Sequence, residues 1–427
     1  MRTFKIVAAI FCLFIFSVVS SWAQFDMLGA GTETREGVFN GGVGITTIED
    51  ETYLTITLHP EIALGKFGIG LNINLLYNTK DGSIRSKDWD ESYDYFRMIR
   101  YIRYGWKGDK FYTRLGTLDG SRLGHGFIMN YYTNEAEYDE RKVGLVLDAD
   151  FGQFGFESIT SNLGRLEIIG GRCYVRPLYA TNYPVIKNLG LGATYVTDVD
   201  PDKNRNSKDG ISEWGLDVEL PLISTKALWL GIYGDYAKIV DYGSGQAFGG
   251  ALHLKRLLGL LTLEARLERR ILGEKFLASY FDAFYEIDRY VPPSHKEDVL
   301  DTTKSCKGIF GQLRGKIINQ IELIGNFQRL DDQPKSGILH LGADATKLIP
   351  GLALTAAYDK KNIETFKDVR TLDNRSVARV SVGYKIKPYL ILYMDYIWSF
   401  VFDKDQNRYV SQERYAPRLA FNYNFSL

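Results

Sequence analysis

Apolar and polar positions alternate with a period of two along much of this chain. Phe67, Ile69, Leu71, Ile73, Leu75 and Tyr77 form one apolar series, set against Gly68, Gly70, Asn72, Asn74 and Asn78. Leu261, Leu263, Ala265 and Leu267 oppose Thr262, Glu264, Arg266 and Glu268, and Leu339, Leu341, Ala343 and Ala345 oppose His340, Gly342, Asp344 and Thr346. Val380, Val382, Tyr384 and Ile386 repeat the pattern against Arg379, Ser381, Gly383, Lys385 and Lys387. Successive side chains of a β-strand point to opposite faces, so each segment predicts a strand with one apolar and one polar face. A soluble sandwich would show the same alternation with its apolar faces turned inward. Two details favour lipid. The apolar faces stay free of charge over roughly nine residues, about what a tilted strand needs to cross a bilayer. Aromatic residues also gather near strand ends, as Tyr77, Tyr358, Tyr396 and Trp398 do, where interfacial girdles sit. Strands in lipid must close on themselves, because an open edge leaves backbone groups unpaired.

Both chain ends agree. Leu419, Phe421, Tyr423, Phe425 and Leu427 alternate with Arg418, Ala420, Asn422, Asn424 and Ser426 up to the last residue. This tail resembles the closing strand of outer-membrane β-barrels, although that family usually ends in Phe and here Leu427 takes the place. At the other end Arg2 and Lys5 precede the apolar run 6–19, and Ser21-Trp22-Ala23 has the small-x-small form of a signal-peptidase site. Residues 1–23 are expected to be a signal peptide cleaved before Gln24, because the run is short for a full span.

Connections alternate in length. Short ones fall at 65–66, 108–110, 151–153, 319–320, 348–351 and 387–388, and long polar ones at 79–94, 119–141, 200–210, 273–307, 363–374 and 403–413. Counting from a periplasmic N-terminus predicts about 20 strands, within a range of roughly 16 to 20. The expected fold is all-β, a single closed antiparallel transmembrane barrel over residues 36–427, with 24–35 as a short periplasmic lead-in.

Composition narrows the function classes. Residues 1–23 hold two of the 52 Lys and Arg and none of the 52 Asp and Glu, which leaves the remainder near −2. That excludes strong generic attraction to nucleic acid. Only Cys173 and Cys306 remain after the signal, too few for a disulfide framework. No later segment holds the roughly 18 consecutive apolar residues of a spanning helix. With five His and no nucleophile–base spacing, an enzyme has little support, and no cofactor motif is present.

Several residues are candidates for pore chemistry. Arg97, Arg100, Arg103 and Arg114 form the densest basic stretch. Arg97 and Arg103 share a strand face while Arg100 takes the other, so the segment needs a bulge or begins in a loop. Such a patch attracts anionic solutes or pairs with lumen carboxylates. Arg122 and His125 lie on the 119–141 loop, where folding inward would narrow the pore; a surface loop is the preferred reading. Glu264, Arg266, Arg314, Arg379 and Asp395 are expected to face the lumen, whose mixed charge suits an aqueous channel or a wall of ion pairs. Segment 276–288 is too aromatic for a solvated loop, and its reading stays open between a constriction, a lid and a further strand. Asp198, Asp200, Asp202 and Asn204 space oxygen ligands as a Ca²⁺ loop does, but Lys203 replaces the glycine such loops need, so an acidic outer loop is expected and no metal site.

Signal, alternation, loop asymmetry and closing strand together resemble Gram-negative outer-membrane β-barrels of porin-like size. The resemblance implies contact with outer-membrane lipid and lipopolysaccharide, and assembly through the barrel-assembly machinery reading Phe421, Tyr423, Phe425 and Leu427. It also implies passive passage of small hydrophilic solutes. A non-conducting barrel that anchors or docks a surface or secretion partner is the alternative, and oligomeric state stays open.

Overall fold

In a computed structural model the period-two segments are strands of one closed sheet. It describes residues 37–425 apart from 49–50, 91–93, 96–97, 119, 135–141, 184, 203, 205–208, 226, 258, 284, 292–293, 374–375 and 404–407. The signal 1–23, the lead-in 24–35, Arg97 and Leu427 lie outside the described residues.

Twenty-one strands belong to the sheet, and Phe67–Leu71 and Ile73–Asn78 are successive halves of one stave, so the wall has 20 staves. Neighbours in the chain are antiparallel neighbours in the wall. The last strand, Arg408–Phe425, returns to the first, Gly37–Ile48, with register Gly37↔Phe425 through Val43↔Leu419. That seam removes the sheet edges and satisfies the ladder without water. Its fit depends on Gly41. The Phe421 ring lies over this residue and packs against Phe39 at 5.2 Å between centroids. A Cβ at Gly41 would meet the ring at 2.4 Å and the Thr57 carbonyl at 2.6 Å.

Alternation along the staves puts large apolar side chains outside and most of the charge inside. Leu267 is 64% exposed on the outer face, while Arg266, Glu268 and Arg270 beside it are buried within. In water this arrangement would be inside out. An apolar solvent around the barrel makes it the expected one.

The six short connections named above all fall at the end of the barrel that carries the first and last strand termini. The six long ones fall at the other, but 403–413 is corrected: Asp403 and residues 408–413 are paired strand, because Leu390–Asp403 and Arg408–Phe425 continue their ladder beyond the expected loop. Residues 176–189, longer than the others at the short-turn end, depart from the simple rule. Aromatic pairs mark the short-turn rim: Tyr104–Phe111 at 6.1 Å, Phe151–Phe154 at 5.0 Å and Tyr389–Tyr423 at 6.5 Å. At the opposite rim Tyr358 and Trp398 differ from the girdle expected of them. The turn Phe366–Val369 folds back over that outer surface, so Tyr358 is buried and donates to the Val369 carbonyl at 2.7 Å, with Trp398 packed beside it. Of the bulge or loop start expected for this basic stretch, the described residues show a strand that begins at Ile99 and a bulge: register shifts between Gly70↔Tyr101 and Leu71↔Ile99, which leaves Arg100 as the extra residue.

Gly41→Val should weaken the closing seam by about 1–3 kcal/mol through overpacking. The folded, heat-modifiable band on a gel reads the loss, and an unchanged urea midpoint would show that the seam tolerates the extra methyls.

Candidate constriction and luminal chamber

The barrel interior is filled in one sector by two of its own connections. Leu118, Phe127, Met129 and Tyr132 of the first, and Phe276, Tyr280, Phe281 and Tyr285 of the second, are buried against inward Val146, Ile168, Val196 and Ile211 of the wall. The two connections are also hydrogen-bonded to each other. Ser279 N donates to the Phe127 carbonyl at 2.6 Å, Phe281 N to Ile128 at 3.2 Å, and Asn130 N to Phe281 at 3.1 Å. The surface-loop reading of 119–141 is therefore corrected for its described residues 120–134, and the described residues of 276–288 pack inside the barrel rather than forming a lid or an extra stave. The physical reason is an apolar sector of the inner wall, which the apolar residues of both segments cover.

A buried ionic latch holds this plug near the long-loop end. Lys142 Nζ donates to Glu286 at 2.6 Å and to Glu167, and Tyr132 Oη donates to Glu286. Arg289 reaches Glu167 at 3.0 Å and Asp198 at 3.2 Å, and Tyr285 Oη donates to Asp198 at 3.1 Å. All of these side chains are buried. Burial raises the Glu167 carboxyl, but Lys142, Arg289 and Arg165 outweigh it and hold the group below its ordinary value. Pairing of charges withdrawn from water makes the latch costly to half-break.

The tip of the first connection crosses the bore. His125 Nδ1 lies 3.0 Å from Asp235 and Nε2 3.0 Å from Glu219, with Tyr233 stacked on the ring at 4.0 Å. Two carboxylate acceptors on one imidazole require both ring nitrogens to donate, which is the imidazolium form. Burial alone disfavours that cation, yet the two carboxylates raise His125 to about 9. Gly124 N donates to Glu157 at 2.8 Å from one side of the bore, and Arg266 donates to the His125 carbonyl from the other.

Towards the short turns, below this tip, lies a chamber of about 550 Å³. Arg114, Asp148 and Ser158 line it from the fifth to seventh staves, and Glu264, Gln312 and Arg314 from the thirteenth and fourteenth, nearly across the barrel. Trp106, Tyr112 and Tyr131 add aromatic surface. Arg314 is paired with Glu322 at 2.6 Å and Lys107 with Asp148 at 2.6 Å. Arg122 is different: it lines the chamber, its side chain is exposed, and it makes no ion pair or hydrogen bond among the described residues.

The other residues singled out by sequence separate in space. Arg100 pairs with Glu61 at 3.0 Å. Arg103 is fully buried, donates to the Gly105 carbonyl at 3.0 Å and stacks on Trp106 at 3.5 Å. Arg379 holds Asp395 at 2.6 Å, with Arg418 at 3.4 Å, on a different wall. Asp198 is drawn into the latch, so it does not complete a ligand loop, although Asp200, Asp202 and Asp209 do approach within 4.8 Å of one another. Reading by alternation missed the latch of Glu167, Glu286 and Arg289 and the chamber residues Trp106, Tyr131 and Gln312. The aromatic density of 276–288 was the available signal for the latch.

No protein-family model matches the chain, and no curated protein matches it. Among solved structures it is similar to Wzi of Escherichia coli, a carbohydrate-binding β-barrel involved in group 1 capsule assembly, at 11% identity over 96% of this chain and 90% of that one, TM-score 0.40. It is also similar to the siderophore receptor PirA of Acinetobacter baumannii, at 10% identity over 91% and 80%, TM-score 0.41. OccK9 (OpdG) of Pseudomonas aeruginosa follows at 15% identity over 92% and 97%, TM-score 0.35. By its closed ladder, apolar exterior and loop asymmetry, the fold is an outer-membrane β-barrel. The short turns are then periplasmic and the long loops extracellular.

Two outcomes follow from the plug. Because the folded value of His125 lies above the ordinary 6.5, its contribution is complete below 6.5 and is lost as pH rises through about 9. A spin label at Ser121→Cys should gain mobility over that window and show no such step in a His125→Leu background; constant mobility from pH 7 to 10 would remove His125 from this role. Lys142→Met should destabilise the latch by up to about 3–5 kcal/mol, because Glu167 and Glu286 stay buried with Arg289 as the one remaining cation between them. Faster proteolysis within 276–288, with the barrel still heat-modifiable, reads that loss.

Proposed function

We propose that this barrel is a porin-like channel for passive passage of small hydrophilic solutes. Its constriction is the inward tip at Gly124 and His125, and the chamber below is its periplasmic vestibule. The observation that carries the reading is the chamber itself: charged and polar groups from both sides of the wall, Arg114, Asp148, Glu264, Gln312 and Arg314, share it with apolar and aromatic side chains, and the open guanidinium of Arg122 lines the same space. Fixed cations in a low-dielectric bore concentrate small anions and repel cations. The basic stretch seen in the sequence thus contributes through Arg114, while Arg100 and Arg103 serve the wall. In the same reading the last strand, with Phe421, Tyr423 and Phe425, together with the terminal Leu427, is what the assembly machinery engages.

A second reading, a non-conducting barrel that docks a partner through its long loops, draws on the plug, where Met129 and Phe281 have no exposed surface. Planar-bilayer recording separates the two. Stable current steps that grow when residues 276–288 are shortened support the channel, and silence in both forms supports the scaffold. Arg114→Gln with Arg122→Gln should move the reversal potential toward cations in a gradient near ~0.1 M salt. The shift should fade near ~1 M, where the Debye length is about 3 Å. No shift at low salt in a conducting, folded variant would take both arginines out of the permeation path.

A further inference from the structure

The outer surface carries a cluster of charge that neither the channel nor the plug uses. Arg269, Lys307 and Arg329 lie on three adjacent strands, Leu261–Leu272, Cys306–Ile317 and Ile321–Leu330, near their extracellular ends. Each shares its face with lipid-facing residues: Arg269 with Leu267 and Ile271, Lys307 with Ile309 and Leu313, Arg329 with Phe327. The register fixes their layout. Ile309 is opposite Arg269 on one side and opposite Arg329 on the other, so these two arginines stand level across the middle strand. Two inter-strand spacings put their backbones about 10 Å apart, and Lys307, two residues higher on the middle strand, is about 8 Å from each.

Among the described residues, the carboxylate paired into this triangle is that of Asp331. Asp331 is paired bidentately with Arg269, the longer contact being 3.1 Å, and its carboxyl is held below the ordinary value by Arg269 first and by Lys307 and Arg329. Three cations around one anion leave an excess of positive charge at the height of the outer-leaflet headgroups. Directly beneath, the middle strand presents Gly311 between Leu267 and Phe327. A side chain is missing there: a Cβ on Gly311 would touch only Leu267 Cδ1 at 3.8 Å and a backbone oxygen at 3.9 Å. The result is a shallow apolar trough, one glycine deep, running down from the cations along the lipid-facing wall.

We propose that this surface is a docking site for a phosphorylated outer-leaflet glycolipid, with a headgroup phosphate among Arg269, Lys307 and Arg329 and an acyl chain in the Gly311 trough. Guanidinium forks match phosphate oxygens, and each basic group near a charged membrane surface adds to the affinity. An acyl chain explains why the cluster faces lipid rather than the loops above, and a free phosphate would have no use for the trough.

Native mass spectrometry of the full-length folded barrel tests this, with bisphosphorylated lipid A, dephosphorylated lipid A and inorganic phosphate as probes. Wild type should prefer the bisphosphorylated lipid, and the triple variant Arg269→Ser, Lys307→Ser, Arg329→Ser should bind it at least about tenfold more weakly. The charge-preserving set Arg269→Lys, Lys307→Arg, Arg329→Lys should keep most of the binding. Gly311→Phe should weaken lipid A binding with every charge in place, which keeps the test open if the triple variant fails to fold. Equal binding of the two lipid forms by wild type would overturn the proposal. So would displacement of bound lipid A by inorganic phosphate alone, or full binding by a folded triple variant or by Gly311→Phe.

Discussion

Everything in this protein depends on one constraint: a strand in hydrocarbon has no water to satisfy its outer N–H and C=O groups. The pairing of Gly37–Ile48 with Arg408–Phe425 meets it by joining the two ends of the chain. Once the seam is closed, the alternation of each strand acquires fixed meanings. One face is solvated by lipid, and the other looks into a space that has to be filled with water, ion pairs or protein. Gly41 shows how local the constraint becomes, since the seam closes only because the Phe421 ring finds no side chain there.

The interior is arranged in layers along the barrel axis. Near the extracellular end, aromatic segments cover an apolar sector of the wall and are pinned by Lys142, Arg289 and their carboxylates. At mid-height, His125 and Arg266 tie the loop tip to both sides of the bore. Below lies the chamber with Arg122 open and its neighbours paired. This order separates two kinds of charge that look alike in composition. Arg103, bonded to backbone carbonyls, and Arg289, paired with carboxylates, are buried cations whose loss would leave acceptors orphaned, whereas Arg122 is held in place while its guanidinium stays available. Only the second kind can act on a passing solute.

Much of the architecture was legible in the chain. Cys173 falls on the outer face as its alternation required, and the bulge at Arg100 is one of the two irregularities that the spacing of the basic stretch allowed. The alternation of loop lengths sorted the two ends of the barrel. What escaped was whatever does not repeat. The plug residues Leu123, Phe127 and Met129 have no period, and their burial depends on an apolar sector built from strands far away in sequence. The covering of Tyr358 by Phe366–Val369 escaped for the same reason.

The chain's own order therefore settles strand, face, closure and membrane, because a period of two and an uncovered edge are properties of neighbouring residues and of the solvent. It cannot settle which of its many inward charges is free. Arg114, Arg122, Arg266 and Arg314 are equivalent in sequence, and partners such as Glu322 and Gln312 reach them only through the register of the folded wall. The site is a property of distances across the bore, and those distances exist only once the barrel has closed around its own loops.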